Sequence, residues 1–170
     1  MRTRYTAALG VAAALVTMIG GAGTAHASVD SVNSVNLDNV VIGSSRFIDH
    51  HLTSVYGSYE LSSTVLGTNA ANTRWRIVSV APDTGYPNVQ IRNSSSGRCI
   101  RAINAGTVQM KSCDSKDPYQ IWAMTGGTGA AQFFNFAVRS CLDNGNNSPY
   151  LFHEEGCNPN NPYQRWFVVS

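Results

Sequence analysis

Apolar residues fall in short runs along most of the chain, and residues typical of turns separate these runs. In one representative stretch, the apolar runs are Val89 to Ile91, Cys99 to Ile103, Val108 to Met110 and Ile121 to Met124. Runs of this length, bounded by Gly, Ser, Asn and Asp, are typical of β-strands. The 3.6-residue period of an amphipathic helix is not sustained anywhere beyond the N-terminal region. The pattern therefore predicts an all-β fold.

Two stretches of the chain end in the same pattern, Pro-Tyr-Gln-x-Trp. These segments, Pro118 to Trp122 and Pro162 to Trp166, lie 44 residues apart. Cys113 and Cys157 each lie nine residues before their tryptophan, which keeps the same spacing. Trp75 lies 47 residues before Trp122 and ends a third, diverged copy of the pattern.

Repeats of this length each form one supersecondary unit, and neighbouring units bury a shared core. We place the copies at about 41–80, 86–125 and 131–170 and expect four short strands in each, so that the fold has about twelve strands. Three copies are too few for a propeller, which usually has about four to eight blades. A threefold barrel closed by hairpins fits the pattern better.

The four cysteines form two sequential pairs with similar spacing. Cys99 and Cys113 enclose 13 residues, and Cys141 and Cys157 enclose 15. In an exported protein, this arrangement predicts two local disulfides. Each would stabilise the fold by about 3 kcal/mol in the chain-entropy model. A zinc site is the competing interpretation, but the cysteines lack C-x-x-C spacing and a suitably placed histidine.

The first residues predict a secretory signal peptide. Arg2 and Arg4 precede an apolar stretch from Ala7 to Ile19, and Ala25 to Ala27 matches the pattern that a signal peptidase cleaves. We place the signal at residues 1–27 and the repeat domain at 41–170. Residues 28–40 are either an N-terminal strand or a flexible lead-in. The apolar stretch is too short for a membrane anchor, so we expect a secreted, extracellular protein.

Charge and motifs exclude several function classes. Without the signal peptide the chain has 10 basic and 10 acidic residues and no basic run, which argues against a nucleic-acid partner. His50, His51 and Glu60, or His153 with its two following glutamates, match no metal-binding or acid–base spacing. The sequence has no nucleophile elbow, and its cysteines are expected to be paired. We therefore predict no enzyme activity, no metal and no cofactor.

The residues that carry the repeats resemble those of ricin B-type lectin domains, the QxW β-trefoil family. The resemblance rests in the third copy on Cys141-Leu142-Asp143, Cys157 and Gln164-Arg165-Trp166, and in the middle copy on Cys99-Ile100, Cys113 and Gln120-Ile121-Trp122. It implies a β-trefoil that binds carbohydrate. It also implies a sugar site in which an aspartate accepts hydrogen bonds from hydroxyls, an aromatic ring stacks on the sugar and an asparagine completes the contact. The tryptophans and glutamines are expected to be mainly structural.

The third copy keeps the aspartate of this site as Asp143. Tyr163 replaces the asparagine, and Glu155 stands where the ring is usual. The ring would come from the neighbouring residues if the hairpin register shifts. Our candidate sugar-binding residues in this copy are Asp143, Tyr150, Phe152, His153 and Gln164.

The first copy offers Asp49 at the aspartate position and Asn72 three residues before Trp75. Phe47 and Leu66 take the two cysteine positions, so an apolar contact would replace the crosslink. Thr64 stands where the ring is expected, and Tyr56 and Tyr59 lie in the preceding loop. The middle copy is expected to be silent, because it has Arg101, Lys111 and Tyr119 at the aspartate, ring and asparagine positions.

The sequence thus predicts a lectin-like protein that recognises sugar hydroxyls in its first and third copies. Two alternatives remain open. Asp49 and Asp143 would act only as turn caps in one of them. In the other, the trefoil binds a secreted protein, such as a protease that it inhibits, through the loop Ala81 to Asn88 or the connector Gly126 to Gly129.

Overall fold

The computed structural model describes residues 34–65, 70–80, 86–145 and 148–170, and the side chains of residues 153 and 154 lie outside this description. Within these residues the chain forms twelve strands, four in each copy, and short 3-10 turns. The strands are β1 Asn36–Ser44, β2 His51–Ser54, β3 Leu61–Thr64, β4 Arg74–Ser79, β5 Asn88–Asn93, β6 Arg98–Asn104, β7 Thr107–Ser112, β8 Trp122–Thr125, β9 Gln132–Asn135, β10 Ser140–Asp143, β11 Tyr150–His153 and β12 Trp166–Val169. The 3-10 turns are Ala71–Thr73, Pro118–Gln120 and Glu154–Gly156.

Six of these strands form a closed barrel, since β12, β1, β4, β5, β8 and β9 pair in sequence. A bridge between Ala131 and Trp166 completes the ring. The hairpins β2–β3, β6–β7 and β10–β11 pair two by two and cap the barrel. The predicted all-β, threefold architecture of about twelve strands is confirmed.

The three tryptophans fill equivalent places in the core. Each is fully buried, and each indole needs a hydrogen-bond acceptor there. The indole N–H groups of Trp75, Trp122 and Trp166 donate to the backbone carbonyls of Leu52, Ile100 and Leu142 at 2.9, 3.1 and 3.2 Å. Because the acceptor lies in the second strand of the same copy, each tryptophan fastens its capping hairpin to the barrel.

The glutamine two residues before the tryptophan ties turns together in two copies. The side-chain amide of Gln120 donates to the carbonyl of Ser112 at 2.8 Å and accepts from the N–H of Asp114 at 3.0 Å. In the third copy Gln164 makes the corresponding bonds, to the carbonyl of Gly156 and from the N–H of Asn158. These contacts agree with a structural role for both glutamines.

The copies interlock through buried polar residues at the ends of their first strands. The amide of Asn93 donates to the carbonyls of Asn72 and Arg74, which flank the closing segment of the first copy. Asn135 bonds in the same way to the closing segment of the middle copy. Ser44 takes this place in the first copy, and its hydroxyl accepts from backbone N–H groups of the next turn. These residues were not predicted, because the copies were aligned on tryptophan and cysteine.

Both predicted disulfides, Cys99–Cys113 and Cys141–Cys157, are present. Each links the first strand of a capping hairpin to the segment that follows the second strand. The first copy has no cysteine and therefore no crosslink.

The first strand begins at Asn36, earlier than the predicted domain start at about 41, and pairs with both β4 and β12. The predicted signal peptide, residues 1–27, lies outside the described residues, as do Leu66 and most of the loop proposed as a protein-binding surface. Among the residues that are described, none belongs to a helix with the length and apolar character needed to cross a membrane.

Candidate functional site

The hairpin β10–β11 of the third copy brings together three of the predicted site residues. Asp143 pairs with Tyr150, and Cys141 pairs with Phe152. Because alternate residues of a strand point to the same side, all four side chains lie on one face of the hairpin. The Tyr150 and Phe152 rings are 6.2 Å apart in an edge-on arrangement. The opposite face packs into the core, so this face carries the candidate site.

Asp143 is a buried carboxylate whose hydrogen bonding is incomplete. The Tyr150 hydroxyl, the Gln164 side chain and the Gly145 backbone N–H donate to it. Its Oδ1 atom is buried and has no partner among the described residues. An unsatisfied buried acceptor costs roughly 1–3 kcal/mol, and costly groups of this kind are often retained for function. Oδ1 therefore keeps an unused acceptor position beneath the surface.

Burial also changes the protonation of this pair. It raises the pKa of the Asp143 carboxyl above its ordinary value of 3.8, and the three hydrogen bonds oppose that rise. Burial, the nearby Asp143 charge and the hydrogen bond to Asp143 raise the pKa of Tyr150 to about 12. Tyr150 therefore keeps its proton at neutral pH and remains a donor to Asp143.

This shift predicts a pH-dependent difference between the native protein and the variant Asp143→Asn. A carboxyl with a raised pKa in the folded state contributes most stability below its unfolded value, and this contribution is lost as pH rises through the folded value. The free energy of unfolding of the native protein, relative to that of the variant, should therefore increase as pH falls from the raised folded pKa toward the unfolded value near 3.8, and it should level off below that value. Urea unfolding of both proteins between pH 3 and 8 measures it. A pH-independent difference would contradict the assignment.

Phe152 occupies the ring position because the hairpin register shifts. It lies opposite Cys141 as Lys111 lies opposite Cys99 in the middle copy. The 3-10 turn Glu154–Gly156 inserts residues between this position and Cys157, which moves Glu155 away from the ring position. The Phe152 ring packs directly on Gly156, where a Cβ atom would collide with it. Phe152 remains 41% exposed and can contact a ligand.

The remaining residues predicted for the third copy have different surroundings. Gln164 is fully buried, and it supports Asp143 from within the fold. The backbone of His153 pairs with Ser140, but its side chain lies outside the described part of the structure. Tyr163 replaces the asparagine. Its ring centroid lies 5.9 Å from that of Phe47 and 5.4 Å from the guanidinium carbon of Arg46. The border of this site thus includes a turn of the first copy.

The structure corrects the alignment of the first copy. The indole bond of Trp75 makes Leu52 equivalent to Leu142, so Thr53 takes the place of Asp143. Asp49 lies in the exposed turn before β2 and does not hold the aspartate position. His51, rather than Phe47, holds the first cysteine position by the same alignment. The sequence could not show this register, because the first copy has no cysteine to mark it.

Asn72 lines a separate cavity of about 290 Å³ between the first and second copies. Asp49 is not part of its lining, so the two polar residues predicted for the first copy are not brought together there. The cavity wall includes the exposed Tyr56 together with Ser54 and Arg98. Tyr56 is 93% exposed, so its ring is open to a ligand.

In the middle copy, an ion pair lies at the place that corresponds to the Asp143 site of the third copy. Arg101 stands at the aspartate position and its Nε lies 2.7 Å from Oδ2 of Asp117. Its guanidinium also lies over the Tyr119 ring, 4.7 Å from the centroid. The ammonium of Lys111 lies 4.6 Å from the centroid of the Tyr59 ring. An arginine has no acceptor atom, so this copy lacks the hydroxyl acceptor that Asp143 provides.

Within the described ranges, no group of three or more His, Cys, Asp or Glu residues is arranged to hold a metal ion. His50 instead packs against the Phe47 ring, at 5.4 Å, and His51 against Phe167, at 6.5 Å. The two neighbouring histidines therefore have separate aromatic partners.

Comparisons with known proteins agree with the observed fold. Residues 64–166 match the family model described as the ricin-type beta-trefoil lectin domain. No curated protein sequence matches the chain. Similar solved structures include the designed threefold-symmetric protein ThreeFoil, which is 16% identical with a TM-score of 0.62, over 77% of this chain and 97% of that one.

Two natural proteins are similar at the same level. A Polyporus squamosus lectin, solved bound to the epitope Neu5Aca2-6Galb1-4GlcNAc, is 16% identical with a TM-score of 0.59, over 77% of this chain and 48% of that one. A GlcNAcα1-4Gal-releasing endo-β-galactosidase from Clostridium perfringens is 14% identical with a TM-score of 0.64, over 78% of this chain and 32% of that one. The chain spans about half of the lectin and a third of the enzyme. At these identities the likeness shows the fold alone.

Proposed function

The chain belongs to the ricin-type beta-trefoil lectin domain family, and from this membership we propose that it is a secreted carbohydrate-binding lectin whose main site is the third copy. The proposal includes export through the predicted signal peptide at residues 1–27. Two disulfides suit the oxidising environment that an exported protein meets.

The unpaired Oδ1 of Asp143 is the observation that carries the proposal. A sugar hydroxyl would donate to this oxygen and remove the cost of leaving it unsatisfied. Hydrogen bonds to a charged carboxylate are stronger than those between neutral groups. Tyr150 already donates to the carboxylate. Its half-exposed side chain would therefore move aside so that a ligand hydroxyl can reach Asp143. Phe152 then provides the apolar surface for the sugar ring.

The first copy would contribute a weaker second site at the cavity beside Asn72. The amide of Asn72 provides hydrogen bonds there, and Tyr56 provides an open aromatic ring. Asp49 is not needed in this form of the proposal, because its turn does not line the cavity. The middle copy does not take part, because Arg101 is paired with Asp117.

The replacement Asp143→Ala tests the main site. A lost charge-assisted hydrogen bond is worth about 1.5–3 kcal/mol, so we expect saccharide binding to weaken roughly 10- to 100-fold. The measurement is a glycan array on the mature protein, followed by calorimetry with the best-bound saccharide. Asp49→Ala is the matched control, because it removes an exposed aspartate outside the site, and its affinity should not change.

Two further results delimit the proposal. Tyr150→Phe keeps the ring but removes the hydroxyl that competes for Asp143, so it should bind the saccharide at least as tightly as the native protein. Unchanged affinity in a folded Asp143→Ala protein would refute the role of Asp143. A native protein that binds no glycan on the array would refute the lectin function.

A further inference from the structure

A second concave surface, which we call the aromatic groove, lies on the outer face of the hairpin β8–β9. It encloses about 440 Å³. Eleven residues line it, and none of them carries a charge. Those that matter here are the rings of Tyr86, Phe134 and Phe136, the polar side chains of Thr125 and Gln132, and the Cys141–Cys157 disulfide.

The rings of this groove point away from the core. Phe133 is fully buried in the core, and alternation along β9 therefore turns Phe134 outward. Phe136 stands edge-on to Phe134, with ring centroids 4.9 Å apart. Phe136 and Tyr86 are 49% and 53% exposed. The outer face of an antiparallel sheet is commonly polar, so a set of open rings here requires an explanation.

The threefold fold provides an internal comparison. The residues opposite each other at this place on β8 and β9 are Ala123 and Phe134. The equivalent residues on β4 and β5 are Arg76 and Arg92, and Arg76 pairs with Asp38 at 3.1 Å. The fold therefore accepts fully charged residues here. At the third boundary, between β12 and β1, the equivalent residues are Phe167 and Gly43. The barrel therefore does not require aromatic side chains at this place, although a second boundary also carries one.

We infer that the aromatic groove is a further carbohydrate-binding site, separate from those at Asp143 and Asn72, which takes an uncharged saccharide. A sugar ring has apolar C–H faces that pack on aromatic rings, and Phe136 and Tyr86 offer such surfaces. The hydroxyl of Thr125 and the amide of Gln132 face each other across the hairpin and provide the hydrogen bonds that orient a ligand. A charged ligand would lose hydration without gaining a charged partner.

The size of the groove favours a small ligand over a second protein chain. Ligand pockets typically enclose about 300–1,000 Å³, and this volume lies in that range. A stable protein interface uses about 20–30 residues on each side, whereas eleven residues line the groove.

This site is distinct from the one at Asp143. Phe134 pairs with Cys141 on one side, and Phe152 pairs with Cys141 on the other, so the disulfide separates the two surfaces. The inference therefore does not depend on sugar binding by Asp143. A longer saccharide would nevertheless be able to contact both surfaces, since they share one face of the sheet.

The test follows backbone amide signals by NMR while the mature protein is titrated with lactose, cellotetraose and chitotetraose. At least one of these uncharged saccharides should shift the amides of Thr125, Gln132, Phe134 and Phe136. The double variant Tyr86→Ala with Phe136→Ser should weaken this binding at least tenfold. Serine is the matched replacement, because Ser94 holds the equivalent position after β5.

Asp143→Ala separates the two sites. If it abolishes shifts near residue 143 but leaves those in the groove, both the inference and the proposed main site stand. Groove shifts with no shifts near residue 143 in the native protein support the inference and count against the main site. Shifts confined to the surroundings of Asp143 overturn the inference and leave the main site intact. An absence of groove shifts with all three saccharides overturns it as well. The same applies if the groove signals respond to protein concentration alone, since the groove would then bind a second copy.

Discussion

Replacing Trp122 by alanine is expected to lower the free energy of unfolding by about 3–5 kcal/mol. Trp122 is fully buried, so the substitution leaves a large cavity in the shared core. It also removes the indole donor from the carbonyl of Ile100, at 3.1 Å, which leaves that buried acceptor unpaired. The capping hairpin β6–β7 then loses this hydrogen bond to the barrel, although β6 still pairs with β5. Urea unfolding followed by circular dichroism measures the loss.

Two variants make this result specific. Trp122→Phe keeps most of the apolar contact but loses the hydrogen bond, so its loss of stability should lie between the native protein and the alanine variant. Tyr86→Ala removes an exposed ring and should change the free energy of unfolding by less than about 0.5 kcal/mol. A small effect of Trp122→Ala would mean that the core does not depend on this residue.

Removal of the Cys99–Cys113 disulfide, by changing both cysteines to alanine, should cost about 3 kcal/mol. The bond joins residues 14 positions apart, and the loop it closes restricts the unfolded chain. Denaturant unfolding of the double variant under oxidising conditions measures the change. A reducing agent added to the variant should then affect stability only through the remaining disulfide.

The contrast with the first copy makes this prediction informative. The first copy places His51 at the cysteine position and has no crosslink, yet β2 and β3 pair over four residues. The disulfide is therefore not needed to form such a hairpin. We expect the double variant to fold with reduced stability, and complete loss of the fold would contradict this account.

Most of the fold could be predicted from the sequence because its tryptophans and cysteines have distinctive structural roles. Tryptophan and cysteine recur at similar spacing along the chain. The tryptophans predict the three copies, and the paired cysteines of an exported protein predict the two disulfides. The first copy was misaligned because Phe47 is apolar, like a cysteine in this position, and no disulfide partner tested the choice. Hydrogen bonding in three dimensions, from Trp75 to Leu52, was needed to set the register.

The candidate site could be predicted only in part. Asp143 follows directly from the Cys-Leu-Asp motif, but its hydrogen-bond partners Tyr150 and Gln164 lie outside that motif. The place of Phe152 depends on a turn that adds residues after the strand. The aromatic groove has no motif, since Tyr86 and Phe136 belong to different copies and meet only through the pairing of β5, β8 and β9.

The pairing of the first and last strands also determines how the domain responds to force. β1 and β12 are antiparallel, and Val41 opposite Val169 lies at the end of the ladder nearest both chain ends. Tension applied between these ends acts across the ladder, so the backbone hydrogen bonds break one pair at a time. Strands pulled along their length would share the load among all their bonds. A pull at the ends of the domain should therefore detach β12 from β1 one residue pair at a time.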